Sequence, residues 1–385
     1  MDIQAIVHLV SDIVIYLHIP FCQRRCIYCD FYSTTCSSEV RSRFVQVLCD
    51  ELQSRCNYLP ARQIHTLYLG GGTPSQLTMS ELSKIVETIH RTYDVDPQAE
   101  LTFEANPDDI TPEMVEGLVK LGFNRVSIGV QTFDDNLLRI LHRRHTAAEA
   151  EQAVYTLVQG GIDNVSIDLI YGLPMQSAAD FEIDLQHAFA LPVKHLSAYA
   201  LTVEPRTVLG HKVAIGELTP ADEDTCADEF ISLQHAALNA GFEQYEISNF
   251  AKPGYYSRHN SGYWNGTPYL GCGPGAHSFD GTNRSYNISD LQTYLLTPGN
   301  PPHKVENLTA TERFNELIFL SLRTRVGLSL QTVAERFGSA WYTDLLRAAN
   351  PHLASGKMVE ADGFLRIASH AIFISDDLIT DLMRL

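Results

Sequence analysis

Through its first 200 or so residues, this 385-residue chain alternates short apolar runs with longer amphipathic ones. That rhythm constrains the fold more than any other feature, because it is the pattern of βα units and a parallel sheet. Strands are expected at Ile13–Leu17, Ile64–Leu69, Leu101–Glu104, Arg125–Gly129, Val165–Ile170 and His195–Leu201. Between them, Val40, Phe44, Val47, Leu48 and Leu52 share one face of a helix over Glu39–Arg55. Leu82, Ile85, Val86 and Ile89 do the same behind Ser80, a candidate N-cap, and Thr111-Pro112-Glu113 opens a further helix with Pro in its first position. Six units cannot fill an eight-stranded barrel; they suit an open, partial (β/α)6 barrel. In such barrels chemistry gathers at the C-terminal ends of the strands.

After Val203-Glu204-Pro205 the rhythm stops. A charged helix over Asp222–Ala240 precedes a stretch rich in Gly, Tyr and Asn from Gly241 to Asn287, and Pro298–Pro302 reads as a linker. A strong helix over Thr311–Leu322 and a hairpin over Met358–Ile367, turning at Asp362-Gly363, suggest a small C-terminal α+β domain. The expected division is 1–204 for the barrel, 205–300 for an extension of it and 301–385 for the small domain.

With 45% hydrophobic and 19% charged residues, the chain can bury a sizeable core. Its formal charge of −18 and lack of a Lys/Arg block argue against nucleic acid as a partner. The first residues lack a basic flank and a cleavage site, Asp12 breaks their apolar run, and no stretch reaches the roughly 20 apolar residues of a membrane span. The cytoplasm is the expected location, and unpaired thiols suit it.

Three of the eight cysteines, Cys22, Cys26 and Cys29, form a tight Cys-x-x-x-Cys-x-x-Cys run directly after strand one. Three thiolates are one fewer than a structural zinc site needs, but they can hold three irons of a 4Fe–4S cube and leave the fourth open. A zinc site completed from elsewhere, or a chance grouping of thiols, are the competing readings.

With Tyr16-Leu17-His18-Ile19-Pro20 before it and Tyr28 within it, this loop resembles that of the radical S-adenosylmethionine (SAM) superfamily, in the branch of the oxygen-independent coproporphyrinogen oxidases. The resemblance implies a 4Fe–4S cluster on the three cysteines, with SAM chelating the open iron. It also assigns the strand-end residues. Gly70-Gly71-Gly72-Thr73-Pro74 matches the family's glycine motif through Gly71, Gly72 and Thr73, where a bare backbone can approach the SAM ammonium. Glu104 is assigned to SAM, and Gln131 and Asp168 match the motifs that follow. Arg143 stands at the family's arginine position, where it can meet a carboxylate. The L-H-R-R-H run departs from the usual pattern, so Arg144 is an alternative. In the coproporphyrinogen oxidases the positions of Gln131, Arg143 and Asp168 touch a second SAM.

Two departures point away from porphyrinogen decarboxylation: Phe31 stands where those oxidases carry a fourth cysteine, and only 21 residues precede Cys22. His259-Asn260-x-x-Tyr263-Trp264 instead resembles the signature of the HemW-type heme chaperones. Imidazole is a common axial ligand of heme iron, and aromatic rings offer a macrocycle a flat surface. His259 is the expected heme ligand, with His277 and Cys272 as rivals; a packing histidine is the plainer reading.

The resemblance therefore implies a chaperone that binds heme and passes it to an acceptor protein, a membrane-associated respiratory protein among the candidates. It implies a cluster, SAM and an electron donor besides. The alternatives are a radical enzyme that cleaves SAM and acts on a tetrapyrrole, and a zinc-stapled scaffold.

Overall fold

The computed structural model describes residues 13–59 and 63–384. The apolar N-terminal stretch lies outside these residues. One 12-stranded sheet organises most of the chain, in the order β12-β11-β10-β9-β1-β2-β3-β4-β5-β6-β8-β7. Its centre is the expected parallel series: β1 (Ile13–Ile19), β2 (Gln63–Gly71), β3 (Asp94–Ala105), β4 (Arg125–Gln131), β5 (Asn164–Tyr171) and β6 (His195–Ala200). Each pairs in parallel with its neighbour.

Helices cover the outer face of this series, and the packing explains why. Helix Ser38–Ser54 buries Phe44, Val47, Leu48 and Leu52 in one core with Ile15, Leu17, Leu67 and Leu69. Helix Met79–Thr92 turns Leu82, Ile85, Val86 and Ile89 into the same core. Its N-cap is Thr78 rather than Ser80: the Thr78 hydroxyl accepts from the Glu81 amide, and the Glu81 carboxylate accepts from the Thr78 amide. Ser80 has no such partner three residues on, since position 83 is Ser. Thr111 caps helix Pro112–Lys120 with Pro in the first turn, as expected.

The middle segment extends both ends of the sheet. β7 (Glu243–Gln244) and β8 (Asn249–Ala251) add antiparallel strands beyond β6. β9 (Tyr269–Cys272) returns to pair in parallel with β1, and β10 (His277–Phe279), β11 (Asn283–Asn287) and β12 (His303–Asn307) continue outward antiparallel. The large sheet thus runs past the Pro298–Pro302 stretch. Between β8 and β9 the short helix Arg258–Trp264 packs against β2 on the inner face. Glu100 of β3 accepts from the amides of Arg258 and His259, and Gly262 lies against Val14 of β1. The sheet is therefore curled around this helix, which closes the N-terminal end of the barrel like a floor.

The C-terminal unit has its own core, built from Phe314, Ile318, Leu322, Leu345 and Leu365. Helix Ala310–Leu322 leads into a three-stranded antiparallel sheet of β13 (Leu328–Ser329), β15 (Phe364–Ile367) and β14 (Met358–Ala361).

Candidate functional site

The inner face of the sheet is polar and aromatic, the reverse of its helix-covered outer face. Strand alternation sends Tyr16 and His18 of β1, Thr66 and Tyr68 of β2, Glu100, Thr102 and Glu104 of β3, and Ser127, Asp168 and Ser197 of β4 to β6 into the barrel. At the upper rim, Cys22, Cys26 and Cys29 are free, partly exposed thiols on the loop after β1. The loop is fixed by backbone bonds from Cys22 to Thr34 and from Thr34 to Pro20.

The glycine run is what lets this loop sit on β2. A Cβ on Gly72 would stand 2.8 Å from the carbonyl oxygens of Ile19 and Phe21, and one on Gly71, at φ +107°, would enter the His18 ring. A Cβ on Gly70 would strike Tyr68 and Glu104. Thr73 then places its hydroxyl 3.4 Å from the Cys22 sulfur. Glu104 accepts from the Tyr68 hydroxyl at 2.6 Å and from the Gly71 amide at 3.1 Å. Burial still outweighs these bonds and pushes its carboxyl up to about 7.

Gln131 ends β4 in a left-handed conformation, φ +74°, at a break in the register with β5. Such a conformation is uncommon for a residue other than glycine. Arg143 reaches back from the following turn to the Cys26 sulfur at 3.4 Å, to Asn106 at 2.8 Å and to the Gly129 carbonyl. Arg144 instead pairs with Asp108 and Asp109, at 3.0 and 2.8 Å, on the outer side of the rim. Of the two arginines, Arg143 is the one facing the cysteines. Tyr28 packs beside Leu137, Leu141 and Leu173 and within reach of the Arg143 charge. Asp168 lies one level deeper, level with Gly129, and accepts from Ser127 at 3.2 Å. The structure thus places Tyr16, Gly71, Gly72, Thr73, Glu104, Gln131, Arg143 and Asp168 on the inner face and strand ends beneath the cysteine loop.

The arrangement suits a cluster. Cys22 and Cys29 each lie within electrostatic reach of Cys26, and burial raises both thiols above their ordinary range. Among the described residues, no three His, Cys, Asp or Glu side chains are gathered at single-ion distance.

His259 does not join this group. It is 1% exposed on the floor helix, with Nδ1 2.8 Å from the Thr66 hydroxyl and Nε2 2.9 Å from the Tyr263 hydroxyl. Its ring packs 4.7 Å from Tyr68, and burial followed by the Arg125 charge lowers its pKa to about 3. Both nitrogens are engaged, and Tyr16 and Tyr68 separate it from the rim. Heme iron could meet Nε2 only if His259 gave up its bond to Tyr263 and the floor helix opened, whereas the bond from the other nitrogen to Thr66 could persist. Cys272 is completely buried. His277 alone of the three candidates is exposed.

Sequence reasoning missed Tyr68, Asn106 and His18. Tyr68 and His18 follow from strand alternation once the inner face is recognised as polar. Asn106 gave no such signal; its role as a link between Arg143 and Thr73 depends on the turn after β3.

Comparison with known proteins places this architecture. Residues 16–188 match the radical SAM superfamily, and residues 308–374 match the HemN C-terminal domain. The heme chaperone HemW of Bacillus subtilis is 34% identical over 327 residues, 84% of this chain and 86% of that protein. HemW of Mycobacterium tuberculosis (strain H37Rv) is 37% identical over 322 residues, 82% and 83% of the two chains. The chain belongs to the HemW family. Among solved structures, the coproporphyrinogen III oxidase HemN of Escherichia coli superposes with a TM-score of 0.85 over all of this chain and 94% of that one, at 21% identity. HemW-family membership and this likeness establish the fold as the radical SAM α/β architecture with a small C-terminal domain.

Proposed function

We propose that this protein is a heme chaperone that binds heme and transfers it to an acceptor protein, and that it carries a 4Fe–4S cluster and SAM at the barrel rim. The observation that carries the reading is alignment with heme chaperones across more than four fifths of the chain. Cys22, Cys26 and Cys29 would hold three irons. When bound, the cluster would supply an electron and an open iron site for SAM. Gly71 and Gly72 let the cysteine loop seat closely on β2 beside where SAM would lie; Glu104 would accept from its ammonium or ribose, and Arg143 would meet its carboxylate. Gln131 and Asp168 line the deeper wall, and Tyr16 and Tyr28 border the pocket. An electron donor and a heme acceptor are the implied partners, in a reducing compartment such as the cytoplasm. No helix among the described residues is long and apolar enough to cross a membrane.

Phe31 distinguishes this reading from a radical enzyme that cleaves SAM and decarboxylates a tetrapyrrole side chain. It projects from the loop, 70% exposed, where the coproporphyrinogen oxidases carry a further cysteine. The test is anaerobic reconstitution with iron counting, hemin titration, transfer to an apo-hemoprotein, and a decarboxylation assay with coproporphyrinogen. Hemin uptake and transfer without decarboxylation are expected. Sustained decarboxylation, or failure to bind hemin, would sink the reading.

A further inference from the structure

Among the described residues, Arg125 is the largest side chain that is fully buried. It opens β4, and because Val126, Ile128 and Val130 turn into the helix-covered core, Arg125 turns into the barrel. There it makes no hydrogen bond or ion pair among the described residues, and its Nε is closed off without a partner. Thr102 of β3 pairs with Arg125 across the sheet, and its buried hydroxyl is unpartnered too. A guanidinium taken out of water is costly unless charge and hydrogen bonds answer it. The carboxylates that its charge reaches are held by other donors. Glu104 accepts from Tyr68 and the Gly71 amide, and Asp168 accepts from Ser127.

Strand register fixes the level of this pair. Tyr68, Thr102 and Arg125 form one row across the inner face. The row below holds Thr66 and Glu100, which bind the floor helix through His259 Nδ1 and the Arg258 and His259 amides. The row above holds Glu104. Arg125 therefore stands between the floor helix and the carboxylate that faces SAM, and its charge reaches His259.

We propose that Arg125 and Thr102 form an anion subsite inside the barrel, and that this subsite receives a propionate carboxylate of heme. The proposal rests on the heme-chaperone reading and gives heme a second point of attachment besides its iron. Two parallel N–H groups of a guanidinium match the two oxygens of a carboxylate, and a threonine hydroxyl can donate a further bond. The carboxylate of SAM has its own cation at the rim in Arg143, beside Cys26, which leaves the deeper arginine for another ligand. β2, where Thr66 holds His259, and β4 are two strand spacings apart, about 10 Å, the scale on which propionates extend from a porphyrin's iron. Opening of the floor helix to free Nε2 of His259 would also uncover the row above it.

The test is titration of the full-length, cluster-reconstituted protein with hemin and with hemin dimethyl ester, whose propionates are capped. Wild type should retain hemin about tenfold or more better than the ester. Arg125→Met fills similar space without the charge, and should retain the two about equally while iron content and the heme absorption band persist. Because Arg125 has no partner in the ligand-free protein, this variant should unfold at no lower denaturant concentration than wild type. A clear drop would make Arg125 a structural residue and overturn the assignment. Equal retention of hemin and ester by wild type would mean that buried water alone answers the guanidinium, and overturns it as well. So does a preference for hemin that survives in Arg125→Met. Each of these results leaves the chaperone reading standing, whereas a wild type that takes up neither ligand overturns that reading together with the subsite.

Discussion

Glu104 holds its proton further up the pH scale than an exposed carboxylate because it is buried between Tyr68 and the Gly71 amide, with Asp168 nearby. Its pKa rises from an ordinary 4.5 to about 7. The folded state therefore binds more protons than the unfolded one across that window, so stability must fall as pH rises from about 4.5 to 7 and level off above it. The loss has an upper bound of about 3 kcal/mol, reduced by whatever solvent reaches the carboxyl. Denaturant unfolding of the ligand-free protein at several pH values should show this slope, and Glu104→Gln should flatten it. The three cysteines make a simpler case. Cys22, Cys26 and Cys29 changed together to Ala should abolish iron uptake, since Cys36, the next thiol along, lies beyond the loop near Arg41 and Glu81. A triple variant that still holds its full iron content would refute the site.

At the scale of elements, the glycine run and the floor helix each join two parts of the barrel. Gly72→Ala would press a methyl against two backbone carbonyls that have no rotamer in which to yield. The cysteine loop should lift from β2, and reconstituted iron should drop although every cysteine remains. The floor helix is fixed to β2 by Thr66, His259 and Tyr263. Replacing His259 by Ala leaves two buried hydroxyls unpaired and opens a cavity, which should cost about 2–4 kcal/mol in denaturant unfolding. The His259-to-Trp264 motif thereby has a structural role, and loss of heme in that variant would have to be weighed against its stability.

Across the whole molecule, the barrel and the C-terminal unit keep separate cores, and Arg323 ties them together. Its guanidinium lies 5.0 Å from the Trp264 ring and 5.2 Å from Phe319, and its charge offsets the buried Glu246 carboxylate. Arg323→Ala should destabilise the protein by about 2–3 kcal/mol at pH 8 and by less at pH 5, where Glu246 can stay protonated. Calorimetry at the two pH values would show it, and an equal loss at both would refute the electrostatic part.

The βα rhythm, the cysteine spacing and the strand-end motifs were legible in the sequence because each depends on neighbours within a few residues. Periodicity fixes which face of a strand or helix is apolar, and three cysteines on one loop stay together in any fold. Even the hairpin at Asp362-Gly363 follows from local turn chemistry. The status of His259 and His277 could not be read in this way. Both are histidines in aromatic, glycine-rich surroundings, and only the curling of the sheet decides between them. That curl carries the floor helix under Tyr16 and Tyr68, where His259 meets Thr66 from 193 residues away, and leaves His277 on the open inner face. Accessibility depends on contacts between distant segments, and those contacts exist only once the chain has folded.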